Sequence, residues 1–183
     1  MVDFTIYSET NAPKGSEALL LDSKKRNGMI ANLHGIMAEA PELLVAYRQL
    51  NDLFIASSLD KDEITVVWQT INVENNCHYC VPAHTLIAKG MKVDDAIIDA
   101  LRNETSLPNA RLEALRDFTL SIVRDRGQVD DAKVQAFLDA GFTKRNIFEV
   151  ILGYSQKIMS NYTNHLADTP LDSVFEKFAW EKA

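Results

Sequence analysis

Cys77 and Cys80 are the only cysteines in the chain, and they stand three residues apart. In a chain without a secretory signature, that spacing points to redox chemistry or metal binding before it points to a structural staple. A disulfide closing so short a loop removes little entropy from the unfolded chain, so it is a poor stabilising device. His84 follows Cys80 by four residues. If Cys77, Cys80 and His84 share one helix, a rotation of about 100° per residue gathers all three within an arc of about 60°. An i,i+4 pair brings Cβ atoms to about 5–6 Å, so Cys80 can pass its proton to the imidazole directly or through one water. Amides at the helix start favour a thiolate at Cys77 and, less strongly, at Cys80. A thiolate with a base and a second thiol beside it can attack an oxidant and then close to a disulfide.

Two rival readings share these residues. Cys-x-x-Cys-x-x-x-His supplies three zinc ligands; His78, His165 or an acid would have to complete the set, and the chain has no second close-spaced ligand pair. The other is inert: two small apolar cysteines beside an incidental histidine. Glu74, three residues before Cys77, extends the reactive arc to about 120° if helicity crosses Asn75-Asn76. As a relay it would receive a thiol proton or orient His84; otherwise it is a solvated acid at a helix end. His78 either tunes Cys77 or faces solvent, the usual fate of a lone polar residue at a helix start. His34 has no partner visible in the sequence. His165 stands i,i+4 from Asn161, where it would cap a pocket, pair across a subunit contact, or be satisfied within the fold. Phe148, Tyr154 and Met159 follow helical spacing and read as core.

The elements that position these residues read as helices throughout. Residues 1–15 hold Asn11, Pro13 and Gly15 without periodicity and read as an extended arm before a single domain, 16–183. Ser16 to Gly28 carries a start and a stop signal around Leu19–Leu21. Leu33 to Met37 is a short helix, and Pro41 opens a longer one through Leu44, Tyr47 and Phe54. Asp60 or Asp62 caps the segment Glu63–Glu74; its β-branched centre, Ile64 to Val67, suits a strand by propensity, but Val67, Ile71 and Glu74 keep helical spacing. Asn75-Asn76 then caps a helix from Cys77 to Gly90, which places the redox core at about 60–90. Further helices follow from Asp94, from Pro108-Asn109, over Asp130–Ala140, from Thr143 towards His165, and over Leu171–Phe178. The expected class is an all-α, single-domain helical bundle.

Composition narrows the partners. The 183 residues carry 19 Lys and Arg against 26 Asp and Glu, a net charge of −7 without a basic block, so the electrostatic footprint for nucleic acid is missing. No apolar run reaches the roughly 20 residues that span a bilayer, and the N-terminus shows no secretory signal, so a cytoplasmic protein is expected. No flavin, haem or nicotinamide fingerprint is present.

The segment Val73-Glu74-Asn75-Asn76-Cys77-His78-Tyr79-Cys80-Val81-Pro82-Ala83-His84-Thr85 resembles the core of the AhpD-like, carboxymuconolactone decarboxylase superfamily. Asn32-Leu33-His34-Gly35, Asn161-Tyr162-Thr163-Asn164-His165 and Asp168-Thr169-Pro170-Leu171-Asp172 are similar to a peroxidase-related subgroup of it. The resemblance implies an AhpD-like helical fold and an alkylhydroperoxidase: Cys80 peroxidatic, Cys77 resolving, His84 relaying protons. Its place nearer the helix start makes Cys77 the sulfur expected to be accessible to a donor thiol. The resemblance also implies a hydroperoxide substrate, no bound cofactor, an external dithiol reductant such as a lipoyl protein or a thioredoxin, and a trimer-based, even hexameric, homo-oligomer. The apolar tail Phe178-Ala179-Trp180 offers a surface for such association. Studied members carry a relay glutamate where Thr65 stands here, which leaves Glu63 and Glu74 to replace it, and a histidine where Tyr79 stands. A lactone decarboxylase like the family's namesakes, which generally lack the cysteine pair, and a non-enzymatic redox sensor remain as alternatives.

Overall fold

A computed structural model describes residues 2–182. Ten helices and no strand occur among them: α1 (Glu17–Asn27), α2 (Asn32–Met37), α3 (Pro41–Ile55), α4 (Lys61–Glu74), α5 (Cys80–Gly90), α6 (Asp95–Arg102), α7 (Ala110–Arg124), α8 (Asp131–Asp139), α9 (Lys144–Ala167) and α10 (Ser173–Glu176). The fold is all-α.

The β-branched run Ile64–Val67 lies inside α4 because its start is strongly specified. Asp60 accepts from the amides of Asp62 and Glu63, and Glu63 accepts in return from the Asp60 amide, a reciprocal capping box. Every residue of α4 from Glu63 to Val73 is buried. A helix buried on all faces has no polar stripe to display, so its amphipathic signal is weak and its branched side chains pack on every side. It touches α5, α6, α7 and α9. One apolar core gathers Phe54, Trp68, Ile98, Leu115 and Phe137 around it. A second joins Leu20, Met37, Leu44 and Phe175 to Cys77, Tyr79 and Cys80.

Residues 2–15 form no helix, as expected of an arm, but they are fixed to α2. The Tyr7 amide bonds the Gly35 carbonyl at 3.2 Å. A Cβ at Gly35 would lie 2.7 Å from the Tyr7 carbonyl oxygen, so only glycine allows the arm this close. Ser16 does not cap α1 with its side chain; its hydroxyl donates to the Ala38 carbonyl at 2.6 Å and ties α1 to the end of α2. The C-terminal tail is also held. Arg102 donates to the carbonyls of Phe178 and Ala179, and the Trp180 indole donates to the Arg102 carbonyl at 2.9 Å. Bound to α6 in this way, the tail is not the free apolar surface that its sequence suggested.

Candidate active site

The end of α4 places the cysteines. Asn76 adopts a left-handed conformation, φ 51°. Its amide bonds the Val73 carbonyl at 3.0 Å and the Cys77 amide bonds the Asn72 carbonyl at 2.9 Å, the paired bonds of a Schellman motif. Asn76 therefore ends α4 instead of capping α5, and Cys77 lies in the turn, with α5 beginning only at Cys80. The single helix expected over Cys77, Cys80 and His84 is corrected accordingly. Cys77 itself serves the incoming helix: its carbonyl accepts from the Val81 amide at 3.1 Å and its sulfur from the Cys80 amide at 3.2 Å. The two sulfurs are joined as a disulfide, with Cα atoms 5.2 Å apart.

Both cysteines are buried, but only Cys80 lines a cavity, one of about 450 Å³. The expectation that Cys77 is the accessible sulfur is thus reversed. The cavity walls include Leu33, Tyr47, Trp68, Ala83 and Phe175, and its other polar lining includes Tyr79, His84 and Lys157. Exposed Arg26, Asp52, Ile55 and Ile87 form the rim, so the space opens to solvent between the ends of α1, α3 and α5. A mostly apolar chamber with a few convergent polar groups is the usual form of a small-molecule site.

The cysteine sulfurs face one stripe of α9. Asn161 Nδ2 lies 3.0 Å and Asn164 Nδ2 3.2 Å from Cys80 Sγ. Asn161 also donates to Asn72 Oδ1 at 2.9 Å and accepts from Asn75 at 2.8 Å. Asn72 donates to Gln69, and Gln69 donates to the Val81 carbonyl at 3.1 Å, so a closed polar chain fixes α5 between α4 and α9. One turn back along the stripe, the Lys157 Nζ lies 2.6 Å from His84 Nε2, with both side chains buried. Burial first, then the neighbouring lysine, holds His84 well below the usual imidazole range. Burial pushes the Lys157 ammonium down to about 7. The His84 ring stands edge-on to Trp68, centroids 4.8 Å apart. His84 thus shares the cavity with Cys80, but its hydrogen bond is to Lys157, and the sulfur's donors are asparagines.

The glutamates are engaged elsewhere. Glu74 makes two 2.7 Å bonds to Arg124, which hold its carboxyl below the ordinary range, and it does not line the cavity. Glu63 closes the cap of α4 and bonds Arg111 Nε at 2.9 Å. Thr65 caps no relay either; its hydroxyl donates to the Lys61 carbonyl. Neither glutamate is brought to the cysteines. His78 is partly exposed and bonds the Thr169 carbonyl at 3.1 Å. His165 is exposed and stacks on Tyr162, so the inner face of α9 belongs to Asn161 and Asn164 without it. Tyr79 is buried and donates to Asp172 at 2.5 Å; burial, then this bond, raises its hydroxyl pKa. Asp172 also accepts from the Asn32 amide, so the segments around residues 32, 79 and 172 meet beside the disulfide. His34 lies in α2 and pairs with Ser23 at 3.1 Å; burial, then Arg48, lowers it to about 4. Among the described residues no cluster of His, Cys, Asp or Glu is placed to hold a metal ion. No helix among them is long and apolar enough to cross a membrane.

Lys157, Asn164 and Asn72 were not singled out by sequence, although Asn164 stood within a segment of resemblance. The signal for Lys157 was its i,i+4 spacing from Asn161. Phe148, read as core, is 70% exposed.

The crystal structure of a peroxidase-related protein from Ralstonia eutropha JMP134, an alkylhydroperoxidase AhpD core, superposes on 94% of this chain and 93% of its own, with a TM-score of 0.83 and 20% identity. This chain has the AhpD-core fold. A peroxidase-related protein from Silicibacter sp. TM1040 gives 0.80 at 18% identity over 95% of this chain and 92% of its own. The debrominase Bmp8, as a cysteine-to-alanine variant with 2,3,4-tribromopyrrole, gives 0.78 at 16% identity over 97% and 95%. Neither a protein-family model nor a curated protein sequence matches the chain. The AhpD-like architecture expected from the cysteine segment is the observed one.

Proposed function

We propose that this AhpD-like chain is a thiol-dependent peroxidase for organic hydroperoxides. The observation that carries the reading is Cys80, bonded to Cys77, at the floor of a solvent-open apolar cavity and held by two asparagine amides. In the reduced protein those amides and the helix start stabilise a Cys80 thiolate. The thiolate attacks the distal peroxide oxygen; the O–O bond breaks, a proton is taken up, an alcohol leaves and Cys80 becomes a sulfenic acid. The Cys77 thiol then displaces water from that sulfur and forms the disulfide. An external dithiol, a lipoyl group or a thioredoxin-like protein, reduces it and is itself oxidised. His84 and Lys157, in place of a carboxylate, supply and accept the protons. A chamber of about 450 Å³ is far larger than hydrogen peroxide needs, which favours an organic substrate. A cytosolic setting, where such dithiols are kept reduced, suits the cycle.

The test is turnover of cumene hydroperoxide and of hydrogen peroxide with dihydrolipoamide and with thioredoxin. Cys80→Ser should abolish consumption. Cys77→Ser should react once and leave a sulfenic acid at Cys80 for a dimedone-type probe. Repeated turnover separates the enzyme from a redox sensor, which would be oxidised once and recover slowly. Labelling at Cys77 in the Cys80→Ser protein would reverse the roles.

The apolar chamber beside a thiol favours one second reading, reductive dehalogenation, the activity named for Bmp8. There a carbon–halogen bond is replaced by carbon–hydrogen, halide and a proton leave, and the two thiols become the disulfide. Bromide release from a brominated pyrrole, without peroxide consumption, would select it.

A further inference from the structure

Lys157 is the one buried cation at the cavity floor, and the protein answers only part of its hydrogen-bonding capacity. An ammonium has three donors and no acceptor. Its one side-chain partner is His84 Nε2 at 2.6 Å, and among the described residues no carboxylate lies within ion-pair distance of it. Two N–H groups are left over. With Lys157 donating to Nε2, the ring carries its proton on Nδ1, and that buried atom also has no partner. The Lys157–His84 pair is therefore all donor. The remaining cationic lining of the cavity is different: Arg26 is paired with Asp22 and Asp52, and Arg48 with Asp22. The polar chain through Asn161, Asn72 and Gln69 is closed on itself and on the Val81 carbonyl. Burying an uncompensated ammonium costs several kcal/mol, which marks Lys157 as a residue awaiting a counter-charge.

We propose that Lys157, oriented by His84, binds a carboxylate of the substrate, so that the cavity takes apolar organic acids. The proposal deepens the peroxidase reading and rests on it for the chemistry, naming hydroperoxides of such acids as the substrates. A carboxylate is acceptor-only and satisfies the free donors of Lys157. The walls of Leu33, Tyr47, Trp68 and Phe175 suit an apolar body. The register sets the spacing: Lys157 precedes Asn161 by one turn of α9, and His84 follows Cys80 by one turn of α5. The anion anchor thus sits about 6 Å along the helices from the reactive sulfur.

The experiment uses benzoate and benzamide, nearly equal in shape and different in charge, on the full-length protein. Binding is read by quenching of tryptophan fluorescence, since Trp68 contacts His84, and independently by thermal shift. Benzoate should bind at least tenfold more tightly than benzamide. Lys157→Met should weaken benzoate at least tenfold more than it weakens benzamide, whose carbonyl accepts a hydrogen bond but carries no charge. Equal binding of the two probes by the wild type, no binding of benzoate, or undiminished benzoate binding by Lys157→Met would each overturn the proposal. The wild-type comparison decides the matter even if the variant does not fold. Neither probe reacts with the cysteines, so the two readings fail separately. Benzoate binding without peroxide turnover removes the peroxidase alone, whereas turnover of cumene hydroperoxide without benzoate binding removes the carboxylate site alone.

Discussion

Asn161 Nδ2 lies 3.0 Å from the Cys80 sulfur and 2.9 Å from Asn72 Oδ1, so one amide group both touches the candidate nucleophile and is held by the helix beneath it. A donor fixed by a second bond is already aimed when charge develops on sulfur, which is the condition for electrostatic stabilisation. Removing it raises the thiol pKa, because the thiolate loses a partner while the neutral thiol loses little. Asn161→Ala should therefore move the rising limb of the pH–rate profile to higher pH and slow peroxide reduction at neutral pH by about 10- to 100-fold. Thiolate ultraviolet absorbance of the reduced protein, titrated against pH, reads the shift directly. An unmoved titration would show that Asn164 and the helix start stabilise the thiolate without Asn161.

Glu74 and Glu63 should behave as structural acids. Glu74→Gln breaks a partly exposed pair with Arg124, worth about 0–1 kcal/mol, and should change turnover by less than tenfold. Glu63→Ala removes half of a capping box and the bond to Arg111, and should cost about 1–2 kcal/mol of stability in urea unfolding with turnover retained. A hundredfold loss of rate in Glu74→Gln, with the fold intact, would restore a relay role to that carboxylate.

The difference between these acids and the residues that do meet the cysteines shows where sequence was legible. Helix starts at Asp60, Asn109 and Thr143 were readable because a cap is a local contract between a side chain and amides two or three residues on. The Cys-x-x-Cys pair was readable for the same reason of proximity. The start of α5 was misplaced because Asn75-Asn76 can serve either helix, and the left-handed Asn76 serves the first. α9 was legible only in part: Tyr154 and Met159 pack against the two cores as their spacing implies, whereas Phe148 does not. Gln156, Lys157, Ser160, Asn161 and Asn164 of this helix are buried, whereas Phe148 and Leu166 are 70% and 73% exposed. Polar residues on a long amphipathic pattern read as a solvated face, and only the neighbours supplied by α4 and α5 make that face an interior.

Lys157 gives a pH signature that an ordinary surface lysine would not. Its ammonium titrates at about 7 in the folded protein against 10.5 for the ordinary side chain. Between those values the unfolded chain binds a proton that the folded protein lacks, so this group makes stability rise with pH through the window. Below about pH 7 its full penalty is present, on the order of a few kcal/mol. Lys157→Met should therefore be more stable than the wild type at pH 6, with the advantage fading towards pH 10. Paired thermal or urea unfolding across that range checks it. A constant difference at every pH would mean that the ammonium is solvated and that only packing changed.

Self-association has its candidate surface on the outer side of α9 and not in the tail. Phe148, Ile151, Tyr162 and Leu166 are exposed, and helical rotation sets them within about 60° of one another, on the side opposite Lys157, Asn161 and Asn164. The stripe runs along a helix of 24 residues, so it is long enough to seat a matching helix from a second copy. Exposed apolar side chains gathered along one side of a helix, rather than scattered singly, point to an interaction surface. The wild type should sediment as a homo-oligomer, in the trimer-based series that the resemblance implies. Phe148→Glu combined with Leu166→Glu should yield monomers with unchanged helical circular dichroism, because neither side chain belongs to the cores. A wild type that sediments as a monomer at micromolar concentration would remove self-association altogether. An oligomer that survives both substitutions would move the interface off α9.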